Sequence, residues 1–167
     1  AACLASVLVI GAGALGGSAA WAQQNPGDVP PELVIDESGW LGNAFLDVDG
    51  AFSHCAIGRD YSEEMEVLFL MGGDAQLNMI VSNTGFELTE GQEVNLRFRL
   101  DTVVNVEIPA PAVARQSVLI RIGNNPDVFQ ALRRGNQVEL SGQGISTVRI
   151  PLTGTFNALP RLRACYD

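Results

Sequence analysis

The residues with the most chemical potential in this chain are the neighbours His54 and Cys55, because a histidine base beside a thiol is the minimum apparatus of a cysteine nucleophile. They lie in "FSHCAI", an alternating run that reads as a strand, where successive side chains point to opposite faces. His54 is therefore not expected to reach the Cys55 sulfur. His54 is the only histidine, so any Ser-His-Asp triad would have to use it, and no G-x-S-x-G elbow marks a partner serine. The second chemical cluster is "YSEEMEV", with Glu63, Glu64 and Glu66 beside Tyr61. Paired carboxylates hydrolyse glycosides only across a set gap, and a solvated strand edge is the simpler expectation. A hydrolase using His54 or the Glu63 to Glu66 cluster is kept as an alternative, and no catalytic residue is assigned.

"VLVIGAGALGG" opens a third possibility. Gly11, Gly13 and Gly16 fit G-x-G-x-x-G after an apolar run, and Asp36 stands where a ribose-binding acid would sit in a nucleotide-binding protein. That motif needs a helix and a parallel sheet behind it, yet Pro26, Gly27, Pro30 and Pro31 follow soon after and no strand-helix-strand units come later. An export signal accounts for more residues: an apolar stretch from Leu4 to Ala20 ends in Ala20-Trp21-Ala22, small residues at the positions that a signal peptidase inspects. We expect a signal peptide over residues 1–22, an acidic Pro-containing leader over 23–39 and a β-sandwich domain over 40–167. The expected location is periplasmic or secreted, without stable membrane insertion after processing.

Export changes what the cysteines mean. Removal of residues 1–22 leaves Cys55 and Cys165, and an even pair in a small oxidised domain predicts a disulfide. By chain entropy, a bridge over so long a loop adds roughly 4 to 5 kcal/mol. Two cysteines and one histidine make no closed zinc site. "DVDG", Asp47 to Gly50, resembles part of a calcium loop, but Phe52 and Gly58 stand where that loop needs Gly and Glu, so a hairpin turn is expected. No cofactor or metal is expected.

Charge narrows the partners. The net charge is −9 and all ten basic residues are Arg. Nucleic acid is excluded as a partner because backbone binding needs clustered cations. Residues 1–93 hold fourteen of the nineteen acids and a single base, Arg59, whereas residues 94–167 hold nine Arg and five acids. Mutual attraction between the two halves explains this, and an acidic face for a cationic partner is the functional counterpart. The partner is otherwise open, protein included.

The elements that position these residues have period two. In "EVNLRFRL", Val94, Leu96, Phe98 and Leu100 share one face and Asn95, Arg97 and Arg99 the other. Similar runs occur in "NAFLDV", "FSHCAI", "MEVLFLM", "QLNMIVS", "VVNVEI", "SVLIRI", "NQVELS" and "STVRIPL", separated by turns such as Asp49-Gly50 and Asn83-Thr84-Gly85. Arg97, Arg99, Arg121 and Arg149 would form either a basic stripe or cross-strand pairs with acids. "NPDVFQALRRG" predicts a helix capped by Asn125, with Pro126 first, Gly135 as its stop, and Val128 and Leu132 on its buried edge. "GTFNALPRLRACYD" predicts a terminal helix with Phe156, Leu159, Leu162 and Cys165 on one line, starting late or bending at Pro160. The fold class expected is all-β, an antiparallel β-sandwich or partly open barrel with two short helices.

The stretches "FSHCAIGRDY", "FELTEGQEVNLRFRLD" and "IPLTGTFNALPRLRAC" together resemble a small exported domain of alphaproteobacteria, and the closing "LTGTFNALPRL" is similar to the end of the invasion-associated locus B family. The resemblance implies a β-rich periplasmic or surface module, sometimes attached to a peptidase, with no catalytic residues to carry over. On both grounds we expect a non-enzymatic exported binding or accessory module.

Overall fold

The structure, a computed structural model, describes residues 34–167. The signal peptide expected over residues 1–22, with the glycines Gly11, Gly13 and Gly16, and the expected leader up to residue 33 lie outside the described residues. The elements run β1 (Val34–Glu37), β2 (Trp40–Leu46), β3 (Phe52–Ser62), β4 (Met65–Gly72), β5 (Leu77–Asn83), β6 (Glu93–Leu100), β7 (Val104–Ala114) and β8 (Ser117–Gly123). They continue with α1 (Pro126–Arg134), β9 (Gln137–Gly142), β10 (Ile145–Pro151) and α2 (Thr155–Tyr166). The class is all-β and antiparallel with two short helices, and the sheet stays open, as in a sandwich or partly open barrel.

Strand order is β1-β2-β3-β4-β5-β8-β7-β6-β9-β10. The first five strands form a meander, the chain crosses from β5 to β6 on the other half, and β7 joins the halves. Residues Val104 to Pro111 of β7 pair with β6, while only Ala112 and Ala114 pair with β8. Pro109 and Pro111 explain the split. Ala112 donates its N–H to Gln92 O on the β6 side, so positions 109 and 111 face β8, and proline has no N–H to donate there. The sheet parts at β7 and folds over.

Alternation sets what lies between the halves. Every second residue of β6 is buried, as is every second residue of β4 from Val67 to Met71. Val67, Phe69 and Met79 of one half pack in a single cluster with Leu96, Phe98, Leu140 and Ile150 of the other. Gly42 permits β2 to lie close on β3, since a Cβ there would stand 1.9 Å from Ala56 O.

Three sequence expectations shift. The leader expected over 23–39 overlaps the sheet, because Val34–Glu37 forms β1 against β2 and Ile35 is buried; four residues were too few for a period to show. In α1, Asn125 caps the N–H groups of Asp127 and Val128 as predicted, but Phe129 is buried with Leu132 while Val128 is only partly covered. In α2 the helix begins directly after Gly154 and runs through Pro160, burying Ala158, Leu159 and Leu162 and leaving Phe156 exposed. Gly154 adopts φ +88°, and a side chain there would meet Ser38 O at 2.6 Å.

Candidate functional site

His54 and Cys55 part company on β3, as alternation requires. Cys55 points inward, has no exposed surface and is bonded to Cys165 of α2, with Cα atoms 6.2 Å apart. His54 points outward and stacks on Phe45, ring centroids 4.8 Å apart and planes within 4°, with Ser53 Oγ 3.0 Å from its Nδ1. Partial burial holds its pKa below the ordinary 6.5.

The carboxylates do not join it. Glu63 and Glu64 occupy the β3–β4 turn, and Glu66 stands opposite Asp60, whereas His54 stands opposite Gly72 at the other end of the same strand pair. Six residues of strand separate them, roughly 20 Å. Proton transfer between His54 and this cluster is out of reach in this conformation.

Asp36, the ribose acid of the nucleotide alternative, lies exposed on β1 opposite Leu41, in an antiparallel hairpin. The strand pairs among the described residues are all antiparallel, so the parallel support for that motif is missing there. Asp47 closes the β2–β3 turn: its Oδ1 accepts from the N–H groups of Asp49 at 3.0 Å and Ala51 at 2.9 Å. Among the described residues no three of His, Cys, Asp and Glu converge as a metal site requires.

The arginines divide between the two halves. Arg97 pairs with Glu107 at 3.1 Å, and Glu139 receives Arg99 at 3.0 Å on one oxygen and Arg149 at 2.8 Å on the other. Cross-strand pairing thus claims three of the four arginines that could have made a basic stripe. Arg149, through its hydrogen bond, holds the Glu139 carboxyl below the ordinary carboxylate range. Arg121 is on β8, in the other half.

That other half has a different exterior. Leu41, Gly58, Leu68, Ile80 and Leu119 stand in one cross-strand register from β2 to β8, and the next row runs Asn43, Ala56, Leu70, Asn78, Arg121. Leu68, Leu70, Ile80 and Leu119 are half-buried while their inward neighbours are fully buried. Leu70, Asn78, Ile80, Leu119 and Arg121 line an open depression reaching Asp74 and Gln76. This face was not singled out from the sequence, although its signal is present: "VLFLM" in β4 is apolar at consecutive positions, so both sides of that strand are apolar.

The chain shares its fold with invasion associated protein B from Bartonella henselae. The two superpose with a TM-score of 0.54 at 18% sequence identity, covering 79% of this chain and 96% of that one. No protein-family profile matches the chain, and no curated protein matches it. The neighbour supports the β-rich architecture implied by the sequence resemblance and supplies no site residues.

Proposed function

We propose that this chain is an exported, non-enzymatic binding or accessory module acting in the periplasm or outside the cell, with residues 1–22 removed as its signal. The observation that carries the proposal is the contrast between two sets of residues. Those with chemical potential are bonded to one another, stacked or separated by the length of a strand, while a broad apolar sheet face stands half-exposed. Sheet faces and edges are where such modules bind partners.

The Cys55–Cys165 bridge and the small antiparallel architecture are compatible with folding where thiols oxidise. Among the described residues no helix is long and apolar enough to cross a membrane.

Two measurements test the proposal. Non-reducing peptide mapping of protein recovered outside the cytoplasm should yield the linked Cys55 and Cys165 peptides and a chain starting at Gln23; free thiols or retained residues 1–22 would contradict export. Amide exchange of the purified domain in a cell-envelope extract should show added protection in β4, β5 and β8. Unchanged exchange throughout would contradict the binding role.

A further inference from the structure

We infer that the outer face of β2, β3, β4, β5 and β8 docks a cationic amphipathic segment of a partner protein. This rests on the binding role proposed above and names the partner's chemistry. The apolar part of the site is the register row Leu41, Gly58, Leu68, Ile80, Leu119, which crosses five strands and so spans roughly 19 Å. On β3 the two rows carry only Gly58 and Ala56, so β3 forms a low line, or trough, between Leu41 of β2 and the leucines Leu68 and Leu70 of β4. Leu70 extends the apolar floor toward the depression.

Charge selects the occupant. Beyond one end of the trough lies the row with Asp60 and Glu66 opposite each other, followed by the Glu63 and Glu64 turn; beyond the other the rows continue to His54 opposite Gly72, with Asp74 in the turn after β4. Asp74 accepts the Gln76 N–H and Asp60 is exposed, and neither carboxylate takes part in the three ion pairs seen among the described residues. Among the described residues Arg121 is the arginine that lines the depression, at its β8 margin together with Asp74. The opposite half of the molecule is organised differently, its outward arginines neutralised by Glu107 and Glu139.

Apolar floor and acidic ends suit a segment that carries apolar side chains on one side and Arg or Lys toward its ends. Two copies meeting face to face would bring acids against acids, and an anionic membrane would be repelled. A second copy could instead offer its helices, where Arg133, Arg134, Arg161 and Arg163 gather, and the experiment separates that case.

The probe is a synthetic peptide of alternating leucine and lysine, compared with its leucine–glutamate counterpart in titrations followed by backbone amide NMR. The leucine–lysine peptide should bind with shifts confined to β2, β3, β4, β5 and β8, and the glutamate peptide should not. Ile80→Gln and Leu119→Gln should each weaken binding about tenfold, while Arg97→Gln on the other face should leave it unchanged. Asp60→Asn with Asp74→Asn should weaken it about threefold and flatten its salt dependence. Equal binding of both peptides, shifts on α1 and α2, absence of binding, or self-association through the helices in sedimentation would each overturn the inference. The comparison of the two peptides uses the wild-type protein and survives any variant that fails to fold. Protection of the face in the envelope extract without leucine–lysine binding would sink this inference and leave the binding role standing.

Discussion

Tyr61 is a residue whose chemistry serves architecture. It sits half-buried against Trp40, ring centroids 6.3 Å apart, and donates its hydroxyl to Pro151 O, while Trp40 Nε1 and Arg59 both donate to Thr153 O. Together they pin the β10–α2 connection to the early strands. Burial pushes the Tyr61 hydroxyl from its ordinary 10.0 up to about 12, so the folded state keeps a proton that the unfolded chain gives up as pH rises past 10. Stability should therefore fall through that alkaline window. Tyr61→Phe should cost about 1 kcal/mol in urea unfolding at neutral pH, by leaving Pro151 O unpaired, and should remove most of the alkaline loss. Glu139 has the opposite sign. Its folded pKa is depressed, so its contribution is present above the ordinary 4.5 and lost as pH falls below it. Urea midpoints of Glu139→Gln should depend less on pH across that acid window than those of the wild type.

Among the elements, α2 shows tertiary contact overruling a local rule. Pro160 cannot donate to Phe156 O, the carbonyl one turn back, and on sequence grounds this break should delay or bend the helix. Instead Arg133 of α1 donates its Nε to that carbonyl at 2.9 Å and lays its guanidinium 4.2 Å from the Phe156 ring centroid. Thr155 adds a second link, its buried hydroxyl 2.9 Å from Leu132 O. The two helices thus repair each other's loose ends. Arg133→Met should destabilise the domain by about 1 kcal/mol. Native-state hydrogen exchange should show α2 opening earlier than β4 and β5 in this variant; uniform loss of protection would contradict a local latch.

At the scale of the whole molecule, the sheet halves share one core but part along β7, and α2 packs against β1, β2, β3 and β4. The bridge from Cys55 to Cys165 ties that helix to β3 across a sequence separation of 110 residues. Such a link acts chiefly by limiting the unfolded chain. Cys55→Ala with Cys165→Ala should lower unfolding free energy by about 4 kcal/mol, measured by urea titration against the oxidised wild type. The double variant should keep the native amide pattern in β6 and β9, which belong to the other half of the sheet. Loss of structure there would mean that the bridge directs folding of both halves.

Much of this could be read from the chain because its causes are local. Alternation in "EVNLRFRL" or "SVLIRI" dictates a two-faced strand wherever it is placed, Asn125 and Pro126 specify a helix start from their own hydrogen bonding, and Cys55 and Cys165 are the two cysteines left once residues 1–22 are read as a signal. The neighbour relations could not be read. That β8 sits beside β5, that Pro109 and Pro111 part the sheet, that Arg133 rescues the Phe156 carbonyl and that Leu41, Leu68, Ile80 and Leu119 fall in one row all depend on register between distant segments. Local pattern determined which residues turn inward, because side-chain direction alternates within a strand whatever lies beside it. Which outward residues became a shared surface was decided only by tertiary pairing, since adjacency across strands is a property of the assembled sheet.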